Sequence, residues 1–530
     1  MIPFLRKNYY LIIVTGISLL IIILNFDFSK LVIGLDNASP YFNISDILGR
    51  IKGTSAIIYG GILFQALFLY LLKVLQLTPE IISNLYLSFN FLLGSIGVAL
   101  LTKRITRSSI ASILSSIVLI TGLFSIWIFS NPNFLFIASY GTVPLLIYFL
   151  SSEKLILRDY IFISVLSILF LTTSLNIVAF LLFTSQIVLI AFVLSKKNSH
   201  IKRLLIWATG LVLFWLILIQ FTMLINRDSS LFIVQIFNYI RDLVQHPYMD
   251  RISSGIIASE KTNSLLNVAN FSTGWMELHD SANSPIFEYY EIYKENIFYT
   301  LLGVIPFVLS LLALTVKKSK KVIGLTTFLL LFLFLSSRFG VSVIEKIPFI
   351  KEALRWPSSK LWPIYVLPLT LLCAITISHL TKLRKIILPI ILISLILYSY
   401  PVLSGNLISS KTEVNIPQEY FNIPRDSKIL ILPSPQKLYM REYNWGYYGS
   451  DFISYINNSE IVDGANLYEY APTYEEIFNS GLIPDDIEYV IYDRSAEINL
   501  DDFAIQKSRA LIEGLRKISY NEYFEIYERE

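Results

Sequence analysis

Most of this chain is written in long apolar stretches with short polar breaks between them, at 9–26, 81–102, 109–129, 133–150, 160–175, 177–195, 204–225, 298–316, 322–337, 361–381 and 386–402. Runs of about 18 apolar residues read as membrane spans. Lipid offers the backbone no hydrogen bonds, so each span must be helical or part of a closed barrel. A barrel would alternate apolar and polar residues with period two. These runs are unbroken Leu, Ile, Val and Phe, so they predict a polytopic α-helical membrane protein of about eleven transmembrane helices. The first span could be taken for a signal peptide, but no small-residue cleavage site follows it. It reads as a retained anchor.

Composition agrees. Hydrophobic residues make up 54% of the 530 residues and charged residues 15%, against about 25% charged in soluble domains. The mean hydropathy is +0.61. A soluble globular protein is excluded. Cys373, the single cysteine, sits inside a predicted span, so no internal disulfide can form.

Charge sets the topology. Basic residues favour cytoplasmic loops near span ends. The clusters Arg6-Lys7, Lys103-Arg104 with Arg107, Lys154 with Arg158, Lys196-Lys197 with Lys202-Arg203, 317–321 and 382–385 are therefore placed inside. A further apolar stretch, 56–77, would put Lys103 outside if it crossed. It is expected to lie against the membrane or to re-enter from outside, within a first external loop at 27–80. The odd number of spans then places a large loop at 226–297 and the segment 403–530 outside. The basic residues serve topology in this reading, and no nucleic-acid partner is expected.

Two domains follow: a transmembrane domain at 1–402 and a small external α/β domain at 403–530. In the second, acidic residues outnumber basic ones. Strands are expected at 428–432, 488–492 and 524–527, and a helix at 501–517 with Ile505, Ala510, Leu511 and Leu515 on its apolar face. No glycine-rich phosphate loop, nucleophile elbow or zinc-spaced Cys/His cluster is present.

Four groups could carry chemistry. Asp36 follows the first span in Gly34-Leu35-Asp36-Asn37. An acid held at the membrane surface can act as a general base or bind a cation; it can equally be a helix cap or a solvated loop acid. Asp46 nearby reads more readily as a cap. Lys351, Arg355 and Lys360, within 347–360, offer a guanidinium fork and ammonium groups that suit a lipid phosphate. The alternative there is snorkelling to headgroups, with Trp356 and Trp362 as interface anchors. Glu277, His279 and Asp280 form an acid/base or metal-type cluster, or an ordinary polar loop. Trp445, in the aromatic stretch 443–448, could stack on a sugar or pack the domain against the membrane surface.

The layout resembles the GT-C superfamily of membrane glycosyltransferases: one span, an external loop with an early acid, a juxtamembrane apolar segment, many spans and an external C-terminal domain. Gly34-Leu35-Asp36-Asn37 with Pro40 and Phe42 looks like the start of the first external loop of that family. The segment 348–357 ending in Arg-x-Pro, the run 429–433 before the aromatic stretch, and 488–493 with Phe524-Glu525-Ile526-Tyr527-Glu528 are similar to AftD-like and YfhO-like multi-span proteins. The resemblance implies transfer of a sugar from a polyprenyl-phosphate donor to an external glycan, lipid or protein acceptor, usually with inversion, at the cell membrane. It implies Asp36 as the catalytic acid of the first loop. Many members carry an acidic pair there, whereas Asn37 follows Asp36 here, so the metal is unknown and a divalent ion is left open. The competing readings are a non-catalytic scaffold of the same fold and a lipid or glycolipid transporter. A transporter would place ionisable residues or broken helices at mid-membrane, and the few polar groups found along the spans, Asn90, Asn176, Gln186 and Gln220, are uncharged.

Overall fold

The computed structural model describes residues 2–33, 70–175, 177–195, 199–225, 263–273, 276, 285, 287–347, 350, 354, 356–380, 384–425, 427–433, 441–449, 452–456, 459–462, 471–498, 500 and 502–529. Every one of the eleven apolar stretches forms helix. In chain order these are α1 (Ile2–Asn25), α2 (Pro79–Thr106), the bent pair α3 (Ser109–Thr121) and α4 (Leu123–Ser130), α5 (Phe134–Leu150), α6 (Leu157–Phe170), α7 (Ile177–Leu194) and α8 (Ser199–Ile225). After a short α9 (Leu265–Ala269) come α10 (Ile297–Val316), a second bent pair α11 (Lys320–Ser336) and α12 (Arg338–Glu345), a single turn α13 (Pro357–Lys360), α14 (Trp362–His379) and α15 (Arg384–Tyr398). Among the described residues seven helices are long and apolar enough to cross a membrane, or nine if each bent pair is one span; α5 and α15 are apolar but shorter. Of the stretch 56–77, residues 70–74 are helical, 75–77 follow as a turn and its end, and 56–69 lie outside the described residues.

Two features explain how the bundle closes. Helices α2 and α5 cross closely because glycine faces backbone: a Cβ at Gly94 would stand 2.8 Å from the Tyr140 carbonyl oxygen, and one at Gly141 would stand 3.0 Å from Asn90 Cα. Small residues at a crossing let membrane helices approach and gain dispersion contacts that lipid would otherwise supply. The second feature is Asn25, buried at the end of α1. Its amide donates to Val402 O at 2.8 Å and its Oδ1 accepts from Leu407 N at 2.8 Å. The exits of the first and last apolar helices are thereby joined at one end of the bundle.

Gln186, the polar residue in the middle of α7, has a structural task. It donates to Lys360 O at 2.9 Å and accepts from Ile364 N at 3.3 Å, bridging the break between α13 and α14. The first N–H groups of a helix have no partner within it. Gln186→Leu leaves that amide buried and unpaired, which costs about 1–3 kcal/mol. The expected outcome is a lower thermal midpoint of the full chain in detergent; an unchanged midpoint would show that the bridge contributes nothing.

Among the described residues the first strands are β1 (Leu31–Val32) and β2 (Glu413–Val414), and β4 (Arg441–Glu442) pairs with β5 (Tyr448–Gly449); the C-terminal region holds a five-stranded sheet in the spatial order β6 (Glu460–Val462), β3 (Lys428–Leu432), β7 (Tyr489–Asp493), β9 (Phe524–Glu528), β8 (Arg516–Tyr520). Strands β3, β6 and β7 are parallel, and β9 runs antiparallel to β7 and to β8. The unbroken Ile-Leu-Ile-Leu run of β3 is buried throughout, as a strand covered on both faces should be. One face packs Leu430, Leu432, Val490 and Tyr492 with Ile477 of a helix at Ala471–Ser480 and with Leu511 and Ile512. The other face, with Ile429, Ile431 and Ile491, joins an aromatic cluster continuous with the bundle core. The expected helix at 501–517 is shorter, Asp502–Ile512. Gly514 at φ +90° ends it, since that backbone region favours glycine, and the residues after it form β8. Its buried face is Ala504, Ser508, Leu511 and Ile512, while Ala510 is exposed.

Candidate functional site

The site is built at the bundle end where α1 stops. Leu31–Val32 (β1) pairs antiparallel with Glu413–Val414 (β2), at the entry to the C-terminal strand region, and Ile33 N donates to Thr412 O at 2.9 Å. The other side of β1 is held by the first turns of α2. Val32 N donates to Ser83 Oγ at 3.2 Å, and the Asn84 amide donates to Asp27 O at 3.0 Å and Lys30 O at 2.9 Å. Lys30 lies 3.3 Å from Glu413 and 3.8 Å from Asp27. Burial raises the Glu413 carboxyl above its ordinary value, and Lys30 opposes that rise. Hydrogen bonds from Ser29 lower the Asp27 carboxyl. The strand leading into the first loop is thus pinned from both sides.

The segment before α14 is woven into the bundle. Ser358 shares a hydrogen bond of 2.7 Å with Thr273, both buried. Lys360 is buried at 6% exposure. Trp362 is fully buried, stacks on Phe124 at 4.6 Å and donates to Ser139 Oγ at 3.2 Å. It is therefore a core residue and no interface anchor, because its indole finds both a ring and a buried hydroxyl inside. Trp356 is half-buried. The end of the large loop follows the same path: the Phe271 ring lies parallel to Phe332 at 6.2 Å and to Tyr365 at 6.0 Å, two rings that stack on each other at 4.3 Å, and Tyr398 OH donates to Asn270 Oδ1 at 2.7 Å.

Of the residues singled out in the sequence, Lys360 and Trp445 are placed; Asp36, Asp46, Lys351, Arg355, Glu277, His279 and Asp280 lie outside the described residues. Trp445 is half-buried, stacked on Tyr447 at 5.6 Å, with Tyr420, Tyr443 and Phe452 around it. Its indole donates to Tyr420 OH at 3.3 Å. Among the described residues no group of three or more His, Cys, Asp or Glu could hold a metal ion.

Sequence reasoning missed Asp493, at the C-terminal end of β7. It is fully buried, accepts from Tyr420 OH at 2.8 Å and from Ser495 N at 3.0 Å. Burial raises its carboxyl to about 6, against the pull of Ser495, Tyr420 and Arg441. A carboxyl that is more basic when folded stabilises the fold below its unfolded pKa, and that contribution is lost as pH rises through the folded pKa. Between about pH 4 and pH 7 the loss amounts to about 3 kcal/mol. The thermal midpoint of the full chain is expected to fall more steeply across this window than that of Asp493→Asn. Parallel slopes for the two proteins would contradict it.

The architecture has known counterparts. Two structural classes of a mutant arabinofuranosyltransferase AftD from Mycobacteria match 98% of this chain, with TM-scores of 0.62 and 0.55 at 12% and 14% identity. The chain shares the fold of these structures. The archaeal oligosaccharyltransferase AglB from Archaeoglobus fulgidus, in complex with an inhibitory peptide and a dolichol-phosphate, matches 92% of the chain and 70% of its own, with a TM-score of 0.50 at 11% identity. This chain spans about two fifths of the AftD chains, 41%. No protein-family model and no curated protein matches the sequence.

Proposed function

We propose that this protein is a membrane glycosyltransferase that moves a sugar from a polyprenyl-phosphate-linked donor to an external glycan, lipid or protein acceptor. The observation that carries the reading is the pinned strand β1. Only Gly34 and Leu35 stand between Ile33 and Asp36, so covalent geometry keeps their Cα atoms within about 11 Å. The GT-C-like fold and the lipid phosphate bound by AglB support the same reading.

In this scheme Asp36 takes the proton of the acceptor hydroxyl as its oxygen attacks the anomeric carbon. The bond from that carbon to the carrier phosphate breaks on the opposite face, with inversion. The departing phosphate gains negative charge, which fixed cations stabilise; Arg355, Lys351 and Lys360 are assigned that task. Glu277, His279, Asp280 and Trp445 are assigned to the acceptor side. The C-terminal domain would face the outside of the cell membrane. The test is the full-length protein in liposomes with labelled hexosyl and pentosyl polyprenyl phosphates. Transfer of label to an acceptor is expected. A folded wild-type protein that transfers none of them would overturn the proposal in favour of a scaffold.

A further inference from the structure

The opposite end of the bundle holds a cavity of about 280 Å³. It opens between the last turns of α2, the residues after α5, the end of α7 and the start of α11. Arg104 and Lys321 supply its positive charge, Ser151 a hydroxyl, Glu153 a carboxylate, and Leu101, Ile105 and Leu194 its apolar wall. Ser83 and Arg104 are both on α2, 21 residues apart in sequence, so they stand about 32 Å apart along the axis. That is about one hydrocarbon thickness of a bilayer. With β1 at one membrane surface, the cavity lies at headgroup depth of the other.

The cations are held in place. The Arg104 guanidinium lies over the Tyr148 ring at 3.6 Å. Its Nη1 donates to Tyr148 O, and lies 3.4 Å from Ser151 Oγ. Its Nε and Nη2 have no hydrogen-bond partner among the described residues. Lys321 donates to Leu194 O, which fixes its ammonium at the cavity wall.

We propose that this cavity binds the headgroup of an anionic phospholipid. A phosphodiester would accept from the open edge of Arg104, from Lys321 and from Ser151, as the planar guanidinium fork favours. Glu153 would accept from headgroup hydroxyls, which selects a hydroxylated headgroup such as phosphoglycerol over one carrying a second carboxylate. The apolar wall would meet the first acyl carbons. Basic pockets between helices at a membrane surface recognise lipid headgroups in this way.

The probe is phosphatidylglycerol, added to the delipidated full-length protein and followed by native mass spectrometry. Wild type is expected to retain one phosphatidylglycerol in preference to phosphatidylcholine. The double variant Arg104→Gln/Lys321→Gln is expected to bind it about tenfold more weakly or worse. The control pair Arg158→Gln/Lys202→Gln removes equal charge outside the cavity and is expected to bind as wild type. Should the double variant not fold, Lys321→Gln against Lys202→Gln carries the comparison. Equal loss in variant and control would reduce the effect to general surface charge and overturn the site. Thermal stabilisation by inorganic phosphate equal to that by the lipid would overturn the lipid as its ligand.

Discussion

Replacing Asp36 with Asn is expected to lower sugar transfer by about 10²- to 10⁴-fold, the range that a positioned general base contributes. Asparagine keeps the size of the side chain and removes its ability to take a proton. In the proposed scheme donor binding rests on cations elsewhere, so the loss should fall on kcat, with KM for the lipid donor little changed. Asp36→Glu, which keeps the carboxylate on a longer arm, is expected to recover part of the rate. Single-turnover transfer in liposomes reads both. Wild-type turnover by Asp36→Asn would remove the proposed base, and a rise in KM alone would make Asp36 a binding group.

Gly94→Val is expected to cost about 3 kcal/mol or more, at the upper end of overpacking penalties. The added Cβ meets the Tyr140 backbone as well as its ring. A ring can rotate away, but a carbonyl on a packed helix cannot, so α2 and α5 must move apart. Gly141→Val meets the Asn90 backbone from the other side and should act alike. Gly16→Val is the control, since a Cβ there meets nothing within 4 Å. The thermal midpoint and the monodisperse yield in detergent report the difference. Equal behaviour of Gly94→Val and Gly16→Val would show that the crossing is not close in solution.

The helices were legible because apolar runs of this length have no other stable use. The strands at β3, β7 and β9 were legible because β-branched and aromatic residues cluster there between polar breaks. The sequence hid β8, Arg516–Tyr520, because none of its residues is buried, and a strand with no buried face leaves no period-two signal. Trp362 was misread for a related reason: an indole beside a proline at a span start looks the same whether lipid or protein surrounds it. Asn25, Gln186 and Asp493 each answer a backbone or hydroxyl far away in the chain, so spacing could not reveal their tasks. At the candidate site, the sequence supplied residue types, and the structure supplied the pinning of β1 between α2 and β2.

The bond between Asn25 and Val402 joins residues 377 positions apart. At a synthesis rate of about 5–20 residues per second, the ribosome needs on the order of 20–75 seconds to make that stretch. Through that interval the first helix sits in the bilayer with a side-chain amide still waiting for its carbonyl. Until the closing segment emerges, the bond from that amide to Ile21 O within its own helix is in place, while its second N–H and its Oδ1 await Val402 O and Leu407 N.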